Sequence, residues 1–275
     1  MRGLAGLVGL GLAALAGAAQ PVLAQYAMPY IPPERYQERR WLEGDKVTFC
    51  IWSVSPTSDL DRRVAEEIGA LLLLEVEIHE FTNAVPQVDE AFWEQILIQL
   101  SESCDAVMGF ALVTAIVPDW LTPTRSYYDG PFVLAVTDPA YTRLGDVPPG
   151  SRIGSLLYST ADLRLIEYSA VRPEAERWRR LPFTDPGQMI DFLRRGTIEA
   201  GLIWAPSLGQ VADTDDVRAV PLDPVAAPAT PVGMVLLSHN LFLRGQLDLA
   251  IAALIEDGVV DRILDETGLA PAGTP

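Results

Sequence analysis

The sequence predicts an α/β fold with two lobes, each a mostly parallel sheet flanked by helices, and a cleft between the lobes. Strand and helix patterns alternate in β-α-β-α-β order between residues 46 and 109, which favours a parallel sheet with right-handed crossovers. A second alternation runs from residue 132 to residue 204. The apolar segment 232–238 then predicts a return, so the first lobe is expected to be built from both ends of the chain.

The first alternation opens with an apolar run that predicts a buried strand. The following segment spaces its apolar residues by three and four, as an amphipathic helix does, with Ser58 or Asp59 as a possible cap. His79 falls on the polar side of an alternating strand, which predicts a solvated imidazole. The predicted elements are strand 46–52, helix 59–74, strand 75–81, helix 91–100 and strand 106–109.

The second alternation contains its own helix signals. Ser159 and the residues after it can cap a helix that runs toward Tyr168, and Gly196 ends another helix. The further predicted elements are strands 132–136, 152–156 and 198–204, helix 187–195, return strand 232–238, and helices 245–256 and 259–267. The predicted domains are an N-terminal extension 25–45, lobe 1 from 46–130 with 230–275, and lobe 2 from 131–229.

The first 24 residues resemble a secretory signal peptide in composition. Arg2 precedes a run of small and apolar residues, and small side chains stand before a predicted cut after Ala24. A membrane anchor is the alternative, but the run is short and has no charged stop. The sequence therefore predicts export to the periplasm, with no membrane attachment after cleavage.

Charge excludes two classes of partner. Because residues 1–24 carry one Arg and no acid, the formal net charge of −17 becomes −18 after cleavage. Nucleic acid and anionic membrane surfaces would both repel such a chain. Solubility alone accounts for this charge, and a basic partner protein is optional.

The two cysteines, Cys50 and Cys104, predict a disulfide because an exported protein with an even pair usually oxidises it. They fall on proposed neighbouring strands, although two unpaired core thiols are the alternative. Only His79 and His239 could supply imidazoles, which is too few for a recognisable metal site. No cofactor is expected. The chain also lacks the nucleophile and phosphate-loop motifs of enzymes, so no catalytic activity is expected.

Two segments resemble a known family. The run Cys104 to Gly109 and the stretch 121–133, which contains Thr124-Arg125-Ser126-Tyr127-Tyr128, are similar to the strand and crossover of type 2 periplasmic solute-binding proteins, family 3, which bind amino acids. The resemblance implies the two-lobed fold of periplasmic binding proteins. It also implies an Arg, three residues after Thr114, that clamps the ligand's carboxylate, and an Asp at position 204 that receives its ammonium. This chain has Val117 and Trp204 there, so both anchors are missing.

Within that family, the chain resembles the methanol-oxidation accessory protein J group. The stretch 198–209, with Trp204-Ala205-Pro206, and a Cys in each of the first and third strands carry this likeness. It implies a non-enzymatic periplasmic accessory protein that helps mature or activate a quinoprotein (methanol or alcohol) dehydrogenase, with that enzyme or its cytochrome as partner. The chain departs from the group after the first strand, where a shorter loop, 52–58, leaves less wall on the cleft.

The alternative function is a substrate-binding receptor that delivers a small, uncharged or anionic ligand to an ABC permease. Ligands of open α/β sheets bind beyond the carboxyl ends of strands. The predicted cleft residues are Trp52, Phe110, Thr114, Tyr128, Ser159, Thr160 and Trp204. The aromatic members could instead pack the seam between lobes, and the hydroxyls could simply cap helices. Trp120 is the predicted partner contact, with core packing as its alternative role.

Overall fold

The structure, a computed structural model, describes residues 45–82, 90–112, 117–211 and 216–269. The predicted signal peptide, almost all of the N-terminal extension, and Thr114 lie outside the described residues. None of the helices in those ranges has both the length and the apolar character needed to cross a membrane.

The described ranges form eleven strands and seven α-helices. The strands are β1 (Lys46–Trp52), β2 (Glu75–Phe81), β3 (Ala106–Ala111), β4 (Leu121–Pro123), β5 (Tyr128–Gly130), β6 (Phe132–Val136), β7 (Arg152–Leu156), β8 (Arg179–Phe183), β9 (Ala200–Trp204), β10 (Arg218–Val220) and β11 (Thr230–Leu237). The helices are α1 (Ser58–Leu72), α2 (Glu90–Ile98), α3 (Thr160–Ala170), α4 (Pro186–Arg194), α5 (Ala205–Val211), α6 (Leu241–Glu256) and α7 (Val259–Thr267). A π-helical turn, Gln99–Ser103, continues α2.

Lobe 1 is built on a mixed sheet with the strand order β2-β1-β3-β11-β4, and β5 also pairs with β11. Strands β1, β2 and β3 are parallel, whereas β11 runs antiparallel to β3, β4 and β5. The five middle residues of β1 are buried because strands flank it on both sides and each of its two faces packs into an apolar cluster. Strand β2 alternates between exposed and partly buried residues over most of its length, as expected at a sheet edge.

Lobe 2 is built on a second mixed sheet with the order β10-β6-β9-β7-β8. Strands β7, β8 and β9 are parallel, and β6 and β10 are antiparallel to their neighbours. Capping residues set the helix starts: Ser159 accepts a hydrogen bond from the Asp162 amide, and Asp185 accepts one from the Gln188 amide. The predicted two-lobed α/β fold is confirmed, but both sheets are mixed where the sequence predicted mostly parallel ones.

The predicted disulfide is present. Cys50 lies in β1, and Cys104 lies just before β3, the strand that pairs with β1. The Cα atoms of the two residues are 5.6 Å apart, within the range that a disulfide spans. Both cysteines are fully buried in an apolar cluster of lobe 1.

Candidate functional site

A cavity of about 400 Å³ lies between the lobes. The lobe 1 side comes from the end of β1 with the loop after it and from β3, and the lobe 2 side comes from β6, β7, β9 and the start of α3. Strand β11 contributes two residues. The lining consists of Trp52, Val54, Ser55, Pro56, Gly109, Ala111, Phe132, Leu156, Ser159, Trp204, Thr230 and Val232. The cavity therefore lies beyond the carboxyl ends of parallel strands, where such folds bind ligands.

Trp52 forms the aromatic part of the lobe 1 wall. Its ring is stacked with Phe81, with centroids 6.1 Å apart and planes inclined by 11°. Phe92 approaches it at 5.9 Å, so two rings hold the indole in place. Aromatic contacts of this kind favour a fixed orientation. The last residue of β1 thus presents a rigid apolar surface to the cavity.

Trp204 forms the aromatic part of the lobe 2 wall, at the end of β9. Its indole Nε1 donates a hydrogen bond of 2.9 Å to the carbonyl oxygen of Gly130. A Cβ at Gly130 would lie 2.3 Å from this nitrogen, so the close approach requires glycine. Trp204 also pairs in register with Phe132. The indole N–H is therefore already hydrogen-bonded to the backbone, at the point where the chain passes from lobe 1 to lobe 2.

Ser159 reaches the cavity, but its hydroxyl oxygen already has a partner. It accepts a hydrogen bond of 3.1 Å from the Asp162 amide and so caps α3. The Asp162 carboxylate, 2 % exposed, binds Arg180 through two contacts and accepts from the Ser155 hydroxyl at 2.6 Å. Burial opposes ionisation there, yet these hydrogen bonds hold the pKa of Asp162 below its ordinary value. The start of α3 is therefore well anchored.

A fully buried carboxyl group lies behind the lobe 1 wall. Asp61 accepts hydrogen bonds from the hydroxyls of Tyr127 and Thr57, and the Gly109 amide donates to the Tyr127 oxygen at 2.9 Å. Burial raises the pKa of Asp61 to about 7, although both hydrogen bonds oppose the shift. Gly109 lines the cavity with φ +72°, and a Cβ there would lie 2.5 Å from Asp61 Oδ2. The cavity wall is thus packed directly against this carboxyl group.

Among the described residues, no charged side chain lines the cavity, so this lining offers no counter-charge to a charged ligand. Val117, at the position of the missing Arg, packs against the apolar cluster of lobe 1. Within the described ranges, no group of three or more His, Cys, Asp and Glu residues could hold a metal ion. The accessible chemistry is aromatic and aliphatic surface with a few hydroxyls.

The structure brings together only some of the predicted cleft residues. Trp52, Ser159 and Trp204 line the cavity, whereas Thr160 is absent from its lining. Phe110 packs against Phe92 and Trp93 instead, with ring centroids 6.3 and 6.0 Å away. Tyr128 is only 5 % exposed and belongs to the core of lobe 1. Tyr128 is therefore a core residue, whereas Phe110 is half-buried and packs against an apolar cluster of lobe 1.

The prediction that Trp120 is an exposed partner contact is wrong. Its side chain is only 5 % exposed, and its ring meets Trp93 edge-on at a centroid distance of 6.3 Å. The flanking Pro118 and Asp119 suggested a surface loop. However, β4 starts directly after Trp120, and the indole lies in the core. The predicted solvated position of His79 is confirmed, since this residue is exposed on β2.

Several residues that line the cavity could not be identified from the sequence. The loop after β1 supplies Val54, Ser55 and Pro56, and β3 supplies Ala111. Small and aliphatic residues of this kind are common everywhere, so only the fold identifies them as lining. Asp61 could have been found, because an acid inside the apolar stripe of an amphipathic helix requires a buried partner.

No protein family model and no curated protein matches this chain. Solved structures do match in fold. Substrate-binding domain 2 of GlnP from Lactococcus lactis, in an open conformation, is 16 % identical with a TM-score of 0.62, covering 82 % of this chain and 96 % of that one. An ancestral cationic amino acid solute-binding protein is 14 % identical, TM-score 0.59, covering 81 % and 95 %. The GluR0 ligand-binding core with L-glutamate is 12 % identical, TM-score 0.55, covering 82 % and 98 %.

These likenesses define the class of fold. The chain has the two-lobed α/β fold of periplasmic solute-binding proteins, with mixed sheets flanked by helices. The structures it resembles are binding proteins and binding domains by name.

Proposed function

We propose that this protein is the substrate-binding receptor of an ABC transporter and carries a small, uncharged, largely apolar molecule through the periplasm. The observation that supports this most is an interlobe cavity, in a solute-binding fold, whose described lining has aromatic and aliphatic side chains but no charged one. The volume of about 400 Å³ suits a small organic molecule.

The chemistry of the walls argues against amino acids as ligands. Moving a charged group out of water costs several kcal/mol unless a counter-charge or hydrogen bonds compensate it. Val117 and Trp204 occupy the two positions where the resemblance calls for such counter-charges, and the Trp204 N–H is bound to Gly130. An uncharged ligand has no such cost, and it removes apolar surface of the wall from water when it binds.

The first test is a thermal-shift screen that compares glutamine, arginine and glutamate with neutral compounds such as indole, benzyl alcohol and 1-naphthol. A ligand at about a hundredfold its dissociation constant adds roughly 2.7 kcal/mol of stability, which corresponds to a rise in Tm of roughly 5–10 °C. We expect such a rise with at least one neutral compound and none with the amino acids. A clear rise with an amino acid would refute this assignment.

A substitution that fills the cavity tests whether the rise in Tm comes from a ligand bound there. Ala111 is exposed, lies at the end of β3 and lines the cavity, so Ala111→Trp should fill the space with little effect on folding. We expect it to abolish the ligand-induced rise in Tm. Ala140→Trp is the matched control, since Ala140 is exposed in a turn of lobe 2 outside the lining. If both variants keep the rise, the ligand binds elsewhere.

A second candidate function is the accessory role toward a quinoprotein alcohol dehydrogenase. The disulfide favours it, because it joins the two cysteines that carry the resemblance to the accessory protein J group. In that case, deleting the gene should lower periplasmic quinoprotein alcohol dehydrogenase activity and leave solute uptake intact. Full dehydrogenase activity together with loss of uptake would support the receptor instead.

A further inference from the structure

Tyr158 combines an unfavourable backbone with an exposed aromatic side chain. Its φ is +63°, in the left-handed region that glycine favours and that costs energy for a tyrosine. Tyr158 is 80 % exposed, so its side chain makes few contacts that could offset that cost. Its neighbours Leu156 and Ser159 both line the interlobe cavity. The strained residue therefore lies at the rim of the candidate site.

The turn at Tyr158 leads into the start of α3, which the buried Asp162 anchors through its bonds with Ser155 and Arg180. The Ser159 amide donates to the Leu156 carbonyl oxygen at 3.2 Å and closes the turn around Tyr158. This turn places Tyr158 at the surface of lobe 2, where its side chain is exposed.

Lobe 1 also has an exposed apolar residue in the lining. Val54 of lobe 1 lines the cavity although its side chain is 57 % exposed. Gln210, at the end of α5 in lobe 2, donates from Nε2 to the Val54 carbonyl oxygen at 3.2 Å. This hydrogen bond joins the two lobes beside the cavity.

We propose that Tyr158 covers the bound ligand and helps select a flat, uncharged, ring-containing molecule. The phenol ring would close the mouth of the cavity from lobe 2, and Trp52 and Trp204 form the walls within it. Aromatic rings on several sides favour ligands with a ring of their own. This inference rests on the proposed receptor function and adds the class of ligand and the residue that selects it.

The test compares wild type with Tyr158→Gly by titration calorimetry with indole and 1-naphthol as probes, and by thermal unfolding without ligand. We expect Tyr158→Gly to bind the better probe on the order of tenfold more weakly. Its unliganded Tm should equal or exceed that of wild type, because glycine relieves the backbone strain. Tyr158→Phe, which keeps the ring, should retain wild-type affinity.

Leu73→Gly is the matched control. Leu73 is also a non-glycine residue with positive φ, +56°, and is 87 % exposed, but it precedes β2 at the end of the sheet away from the cavity. We expect this variant to keep wild-type affinity. Equal affinities of wild type and Tyr158→Gly, or equal losses in the Gly and Phe variants, would overturn the role of Tyr158 alone. Failure of wild type to bind either probe or any other neutral compound would overturn the receptor function, and this inference with it.

Discussion

Reduction of the Cys50–Cys104 disulfide should lower the free energy of unfolding by about 4 kcal/mol. The bond closes a loop with a sequence separation of 54 residues, and the loss of that closure releases chain entropy in the unfolded state. Both sulfurs lie in a buried apolar cluster, so mild reductant should act mainly on the unfolded chain. Urea unfolding with and without a phosphine reductant measures the difference.

The control for this prediction is the double variant Cys50→Ala, Cys104→Ala. It should be destabilised to a similar extent, and reductant should not change its unfolding curve. Equal stability of oxidised and reduced wild type would contradict the prediction. Two free thiols in the native protein, detected by alkylation before any reduction, would contradict the disulfide itself.

The stability of Asp61→Asn relative to that of wild type should be higher at neutral and alkaline pH than at pH 5. The pKa of Asp61 is about 7 in the folded protein against an ordinary value of 3.8, because the carboxyl group is buried. The folded state therefore holds a proton that the unfolded state has lost, and stability falls as pH rises from about 4 to about 7. Asn cannot ionise and does not carry this cost.

The expected size follows from the same shift. At 1.36 kcal/mol per pH unit, the stability advantage of Asp61→Asn over wild type should grow by on the order of 3 kcal/mol between pH 5 and pH 8. Burial and the nearby Asp61 raise the pKa of Tyr127 well above its ordinary value, so this phenol stays protonated across the range. Urea unfolding of both proteins at several pH values measures the effect.

Asp59→Asn removes one exposed carboxylate from the same helical turn and controls for the change in net charge. Its stability should follow the wild-type pH dependence. If the difference in stability between Asp61→Asn and wild type is the same at pH 5 and pH 8, burial does not raise the pKa of Asp61, and the prediction is wrong.

Much of the fold could be predicted because its long elements have strong periodicity. The bounds of β1, β2, β6, β7 and α7 were predicted without error. Strands β4, β5, β8 and β10 were missed. Three of them have only three residues, which cannot display an alternation, and β8 contains two Arg and a Pro. The antiparallel direction of β11 was also missed, because it depends on where the chain re-enters lobe 1 and not on any local pattern.

The candidate site could be predicted only in part. Trp52 and Trp204 were found because they end apolar strands, the position at which α/β folds bind ligands. Trp120 was misassigned because its burial depends on Trp93, a residue distant in sequence. Tyr158 was not singled out, since nothing in the sequence indicates a positive φ at a tyrosine. Contacts between distant segments and backbone conformation were the information that the sequence did not reveal.

The position of β11 determines which sheet can be completed first as the chain is synthesised. This strand lies between β3 and β4, although it follows all the strands of lobe 2 in the chain. The sheet of lobe 2 has all its strands once Val220 has emerged, while lobe 1 still waits for residues 230–237 with the edge of β3 open. Both cysteines emerge early, so oxidation can hold β1 beside β3 in the half-built lobe until the last strand arrives.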